Sequence, residues 1–519
     1  MTLVPWPALF LVFLCSLFLS FFVKHLPLLN THKPSKAPLP PSISILPILL
    51  HLVTHRGSLQ GITVLLRRYH SLHGPILSLR LLPFAPPTIF ISSSDLSHTA
   101  LFKHADSFSN RPPPVEPTIF LTGGNNDISS SNHGSLWSIL RRNLSSEILH
   151  SSSLRNFAQA RSWAVQLLLE KLHSFAGREE FIPKQSFQHA FLSILALMCF
   201  GQKLPESDIH EIDHLQSFLL RLFSTFNVFA FIPSITKLLF YKRWEDIVHA
   251  RQRQAEIFLP LIKARRERKQ NMKEGSAVEY CYVDSLLDLR LPVEGERGLS
   301  DYEMVNLCHE FLSGSATTAT ALEWTMAELV KQPKVQSKVF AEIESLIGRG
   351  EEDIIKEEFL QRMPYLKAVI IESLRRHPPT HFVLPHSVKE EVELNGYLIP
   401  VGAEVHFAVA DVHWDRWTWD EPMEFKPERF MDGGEGEGVD LTGNRGIKMM
   451  PFGAGRRLCP GYAFAMLHLE LLVANLVREF EWKSDAGNEV DLTEVFDFTM
   501  VMKNTLRVRI VRRRREEKA

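Results

Sequence analysis

The 519-residue chain is short of several things. Net charge is one: 58 Lys and Arg stand against 59 Asp and Glu, leaving −1. No global basic field results, which excludes nucleic acid as a partner of the chain as a whole. Cysteine is another, with five residues at 15, 199, 281, 308 and 459. An odd, widely spaced set argues against a disulfide framework and for a reducing, cytosol-facing body. The 22 histidines show no paired metal spacing. There is no internal repeat and no flavin or dinucleotide fingerprint. Charged residues at 23% and apolar residues at 45% exclude a disordered or collagen-like chain. Tyr and Trp are few, 8 and 9, whereas Phe numbers 35, as expected of a large core or an apolar cavity.

Residues 3–23 (LVPWPALFLVFLCSLFLSFFV) carry no charge. As a helix they span about 31 Å, the thickness of a bilayer's hydrocarbon core. Lys24, Lys33 and Lys36 follow and no Lys or Arg precedes, which places the body on the cytoplasmic side. A removed signal peptide is disfavoured, because a charged leading segment and a clean small-residue cleavage site are missing. Pro38-Leu39-Pro40-Pro41 reads as a stiff, extended hinge. The expected organisation is an anchor at 1–24, a basic, proline-rich hinge at 25–41, one body at 42–511 and a charged tail at 512–519.

Within the body, Leu77–Leu81 and Thr88–Ser92 alternate like strands, and 135–330 has mostly helical periodicity. The charged stretch Lys263–Glu274 reads as an exposed loop. Glu303–Gln332 predicts an unusually long helix stopped by Pro333. Val392–Ala408 predicts strand–turn–strand around Asn395-Gly396. Gly433–Gly438 reads as a flexible acidic loop and Leu506–Val511 as a terminal strand. Helices dominate, with small sheets drawn from both ends of the chain, so the expected class is α+β, mainly α, in a single large domain.

Four segments carry chemistry. PFGAGRRLCPG, residues 451–461, is a glycine-punctuated loop presenting one cysteine just before an apolar helix that begins near Tyr462. A helix start favours the thiolate, and Arg456 and Arg457 add positive charge. A lone cysteine cannot build a structural zinc site, but it can be one axial ligand to a haem iron. Glu372 and Arg375, at i and i+3, face together on a helix. Trp137 and Arg141, at i and i+4, do likewise. Ser313–Ala321 is a run of nine small residues in the long helix, which lets a flat ligand approach the backbone or two helices cross closely.

The cysteine loop resembles the haem-binding signature of the cytochrome P-450 superfamily, F-x-x-G-x-R-x-C-x-G. Phe452, Gly455, Arg457, Cys459 and Gly461 occupy its fixed positions. The order of the other motifs is similar to that family from anchor to final strand. The anchor with its hinge, Phe108-Ser-Asn-Arg-Pro-Pro113 and the wording of the loop look most like plant microsomal members, with plant family eighty-nine the nearer guess. The resemblance implies haem b with Cys459 as the iron's axial ligand. It implies Trp137, Arg141, His386 and Arg457 around the haem propionates, and a buried lock of Glu372 and Arg375 with Arg429 of Pro427-Glu428-Arg429-Phe430, fixing the cysteine loop. It turns His381, Phe382 and Val383 toward the substrate. It also implies an oxygen-activating Thr317 beside an acid, yet Ala316 occupies the acid's position.

Glu310 shares a helical face with Ser313 and Thr317, but is about 10 Å from Thr317 along the axis, so Ser313 or water would have to bridge a substitute proton path. His309 stands in the same relation to Ala316 and is the weaker candidate. The expected activity is insertion of one oxygen atom of O2 into a hydrophobic small molecule at the endoplasmic reticulum membrane. NADPH–cytochrome P-450 reductase would supply the electrons, with cytochrome b5 a further candidate partner. The alternatives are a haem-thiolate isomerase or dehydratase, which the missing acid favours, and a haem-binding protein without turnover. The aromatic cluster Phe218, Phe223, Phe226, Phe229 and Phe231 reads as core or as a membrane-facing entrance, and Arg512–Arg515 as a solvated basic tail.

Overall fold

The computed structural model describes residues 37–513, apart from 55–60, 81–84, 125, 178–179, 225–226, 231, 272–279, 292–295, 349–353 and 485–488. The apolar run 3–23 lies outside these residues. Among the described residues no helix is long and apolar enough to cross a membrane.

The fold is organised on one helix, Asp301–Lys331. Its start is set locally. The Ser300 side chain accepts the Glu303 N–H, and the Glu303 carboxylate accepts the Ser300 N–H at 2.8 Å, a reciprocal capping box. Arg297 pairs with the same carboxylate at 2.8 Å. The helix stops before Pro333, whose ring cannot continue it but suits the first turn of the next helix, Pro333–Ile347. From Thr318 to Val330 every residue is buried, so this half is a core helix rather than an amphipathic surface one. Lys184–Phe200, buried without a break from His189 onward, packs against it.

Segments 42–91 and 386–407 together form a five-stranded mixed sheet, in the order Ser42–Ile43, Ile76–Leu79, Thr88–Ile91, Glu404–Phe407, His386–Ser387. Ile76 pairs antiparallel with Ile91, and Ile89 parallel with Val405. The part of the expected hinge that is described is not a free linker. The Pro38, Pro40 and Pro41 carbonyls accept from Leu398 N, Ser78 Oγ and Ser78 N, each at 2.8 Å. Proline cannot donate, so these three prolines are held through their carbonyls. Val392–Leu394 and Tyr397–Ile399 form the expected hairpin; Asn395 and Gly396 have φ of 53° and 76°, as its two-residue turn requires.

Three expectations are corrected, and the core reading of the aromatic cluster holds at Phe229. Lys263–Gln270 is not a loop but the end of a helix spanning Tyr241–Gln270. Its charges looked solvated, yet Arg265 is buried against Asp284; residues 272–279 lie outside the described set. Gly433–Gly438 is not a loose loop. A Cβ at Gly434 would stand 2.3 Å from the Arg429 carbonyl oxygen, and one at Gly436 would stand 2.6 Å from the Phe430 ring. The terminal strand runs Arg509–Arg512, pairing with Phe480–Lys483. Arg512 and Arg513 are therefore held to the body, Arg513 by its guanidinium 3.9 Å over the Phe340 ring. In the aromatic cluster, Phe229 is core, packed edge-on to Trp244 at 5.3 Å, while Phe226 and Phe231 lie outside the described residues. The exposed apolar residues lie just beyond, on Pro233–Leu239.

Candidate active site

The loop 451–461 is shaped by its glycines and one backbone bond. Gly453 and Gly455 have φ of 71° and 68°, the left-handed region. A Cβ on Gly455 would stand 2.5 Å from the Leu101 carbonyl oxygen, so no other residue fits there. Gly453 N–H donates to the Met450 carbonyl at 3.0 Å and Cys459 N–H to the Phe452 carbonyl at 2.9 Å. The loop then feeds the helix Tyr462–Glu479. Burial pushes the Cys459 thiol up, against the Gly461 N–H and the Arg141 charge, which push it down. The helix start favours the thiolate, as the sequence predicts, but desolvation outweighs it. A coordinated metal ion reverses that balance.

Trp137, Arg457 and Glu310 meet on the backbone of Ile128. Trp137 Nε1 and Arg457 Nη1 donate to its carbonyl at 3.1 and 3.2 Å. The Glu310 carboxylate accepts its N–H at 2.9 Å, the Ser129 N–H at 2.7 Å and the Ser129 hydroxyl. Arg457 also donates to the Ser109 and Ser131 carbonyls at 2.9 and 2.6 Å, and lies 4.7 Å over the Trp137 ring. Arg141 Nη2 donates to the Leu458 carbonyl. His386 Nδ1 donates to the Phe108 carbonyl at 2.6 Å; a neutral ring so held keeps Nε2 as an acceptor and meets a carboxylate with a donor only when protonated.

Two participants were missed in the sequence. Arg111 bonds Ser129 O, Leu384 O and Pro385 O at 2.8, 2.9 and 2.8 Å, joining this loop to the segment expected to face the substrate. Its only sequence signal was its place within Phe108–Pro113. Ile128 acts through its backbone, which no side-chain pattern reveals.

The electrostatics call for anions. Burial lowers Arg457 to about 9 and Arg111 to about 10, and lowers Arg141 as well. His386 is driven to about 3, by burial first and then by Arg111. The neighbouring acids do not compensate, since burial raises Asp127, and raises Glu310 to about 7. Three half-buried guanidiniums thus stand with two reluctant carboxyls beside them.

The central helix opens at one place. Gly314 is exposed, and Ser313, Ala316 and Thr317 are half-buried, just before the fully buried stretch. A Cβ on Gly314 would meet nothing within 4 Å. Thr318 and Thr320 hydroxyls donate back to the Gly314 and Ala316 carbonyls at 3.0 and 2.9 Å. The Thr317 hydroxyl has no hydrogen-bond partner among the described residues. Ser313 Oγ donates to the Glu310 main-chain carbonyl at 2.7 Å, so it does not bridge the Glu310 carboxyl to Thr317. A presented thiol, half-buried cations beside it, and a small-residue window on the central helix together fit haem b, whose propionates would meet the guanidiniums.

The lock is formed as expected. Arg375 Nε and Nη2 reach the Glu372 oxygens at 2.7 and 2.8 Å, and Arg429 Nε reaches one at 3.3 Å. Glu372 and Arg375 are both 0% exposed. Of the segment expected near the substrate, His381 Nε2 stands 2.9 Å from Glu494, and Val383 would lie 3.6 Å from a Cβ on Gly453.

Comparison with known proteins agrees with this geometry. The profile of the family described as Cytochrome P450 matches residues 39–510. "Cytochrome P450 89A9" of Arabidopsis thaliana is 40% identical, over 96% of this chain and 98% of its own. "Tabersonine 6,7-epoxidase isoform 1" of Catharanthus roseus is 32% identical, over 95% and 97% respectively. A zebrafish cytochrome P450 solved with progesterone superposes with a TM-score of 0.74 at 22% identity, over 87% of this chain and 99% of its own. It is alike in fold. With the profile running from the docked prolines to the last strand, the chain belongs to the cytochrome P450 family, haem-b oxidoreductases of the monooxygenase kind.

Proposed function

We propose that the chain is a membrane-anchored monooxygenase that inserts one oxygen atom of O2 into a hydrophobic small molecule, with electrons from NADPH through a separate reductase and cytochrome b5 as a second donor. Haem b bound through a cysteine thiolate supplies the oxygen-activating redox chemistry. The chain's own residues do the rest. Cys459 would supply the thiolate that holds the haem iron, with its own N–H fixed on the Phe452 carbonyl. Arg141 and Arg457 would hold the propionates, and His386 would join them only when protonated. Glu310 clamps the loop 127–131 against the central helix through two backbone amides. The observation that carries the reading is the Thr317 hydroxyl, unpartnered among the described residues at the opening of the central helix. A free hydroxyl there can hold and pass a proton with ordered water.

The missing acid at Ala316 favours a second reading, an isomerase or dehydratase that rearranges an oxygenated substrate without O2. Reductase- and NADPH-dependent O2 uptake by the purified holoprotein, after a binding-spectrum screen of apolar plant metabolites, separates the two. On the monooxygenase reading, Thr317→Ala lowers product formed per NADPH consumed. Ala316→Asp raises it or leaves it level. Turnover that needs neither O2 nor reductase, and is indifferent to both changes, establishes the isomerase.

The location we propose is the endoplasmic reticulum membrane, crossed once by residues 3–23, with the body in the cytosol. A second contact is supported by Ile235, Leu238 and Leu239, which are 52%, 78% and 50% exposed on one short helix; an apolar patch of this kind suits a lipid surface. A chain starting after Lys36 should bind haem and divide between soluble and membrane fractions. The same chain with these three residues changed to Ser should become fully soluble. Unchanged membrane retention after a high-salt wash would remove this patch from the account.

A further inference from the structure

Among the described residues, no hydrogen bond joins the lock directly to the cysteine loop. Arg375 donates to Glu372 and to the carbonyls of His413, Pro422 and Glu424 at 3.0, 2.7 and 3.2 Å. Arg429 donates to Glu372, Glu435 and the carbonyls of Glu421 and Glu424. Among the described residues, none of these acceptors lies in 451–461.

One side chain spans the gap. His413, 0% exposed, ends the short helix Val409–His413. Its Nδ1 lies 3.2 Å from the Arg375 carbonyl oxygen, and its Nε2 lies 2.8 Å from the Met450 amide nitrogen. A carbonyl only accepts, so Nδ1 carries the ring proton and Nε2 is left as an acceptor, which is what the amide requires. Burial first, then the Arg375 charge, drives the ring to about 3 and keeps it neutral. Met450, also 0% exposed, begins the loop's first turn, because its carbonyl takes the Gly453 N–H. Without His413 the Met450 amide would be a buried donor lacking a partner.

We infer that His413 is the positioning residue through which the Glu372–Arg375–Arg429 lock holds the cysteine loop, with Nδ1–H on the Arg375 carbonyl and Nε2 accepting the Met450 N–H. The inference rests on Cys459 being the haem ligand. Full-length holoproteins with His413→Phe and His413→Gln are compared with wild type at matched haem content. Two quantities are read: the share of the ferrous–CO complex in the thiol-type rather than the thiolate-type spectrum, and amide exchange of a peptide covering 447–453. His413→Phe should raise the thiol-type share several-fold and speed exchange. His413→Gln, whose carbonyl oxygen can still accept the amide, should restore most of both.

Wild-type behaviour in His413→Phe would overturn the inference. So would His413→Gln behaving like His413→Phe, since only packing would then matter. If His413→Phe yields no holoprotein, His413→Gln decides alone: a spectrum and exchange near wild type support the role, and a raised thiol-type share defeats it. If wild type itself lacks the thiolate-type spectrum, the Cys459 reading has failed, and the exchange comparison still judges His413.

Discussion

Cys459→Ala should abolish the thiolate-type spectrum of the ferrous–CO complex and with it the oxygenase activity, even where some haem is retained. The loss should be complete rather than graded. Cys459 is the one described cysteine set in the glycine-shaped loop, with the Gly461 N–H on its sulfur and the Arg141 charge beside it. The other three described cysteines, Cys199, Cys281 and Cys308, are free, fully buried thiols. Burial raises Cys199 far above its ordinary range and Cys281 to about 12, so neither is poised as a thiolate ligand. Replacing any of them with Ala should reduce stability modestly and leave the spectrum in place. A Cys459→Ala protein with an unchanged spectrum would refute the axial-ligand assignment outright.

Glu372→Ala is expected to act on folding instead. Removing the carboxylate strips acceptors from Arg375 Nε and Nη2, from Arg429 Nε and from the Lys426 N–H, which it takes at 2.8 Å. Burial already pushes the Glu372 carboxyl up despite both guanidiniums, so the assembled cluster contributes little net stability while its broken form is costly. Leaving Arg375 buried without its anion, and Arg429 with Glu435 alone, costs roughly 3–5 kcal/mol, a large share of the roughly 5–15 kcal/mol that holds a typical domain folded. The yield of haem-loaded protein should fall sharply and its melting temperature drop. Glu372→Gln, which keeps an acceptor but no charge, should fall between. Full haem content and an unshifted melting temperature in Glu372→Ala would mean that Arg375 is satisfied by its three carbonyl contacts alone.

What the sequence by itself determined were the features that short stretches of chain decide. The capped start and proline stop of Asp301–Lys331, the Asn395-Gly396 turn and the glycine-shaped approach to Cys459 follow from local backbone chemistry. The lock was legible because its i, i+3 half sits on one helix and its third member lies in a short, recognisable segment. The tertiary structure alone decided the rest. Charge read as solvation made Lys263–Gln270 look like a loop, but Arg265 finds Asp284 in a neighbouring helix. Glu310 looked like a proton relay because helical spacing aims it along the face of Thr317; its carboxylate is taken instead by amides 181 and 182 positions away in the chain. Arg111, Ile128 and His413 work by meeting carbonyls and N–H groups of distant segments, and a backbone group has no letter of its own in the sequence. The Cys459 thiol moved against its local helix-start bias because desolvation depends on everything packed around it, a quantity that exists only once the chain is folded.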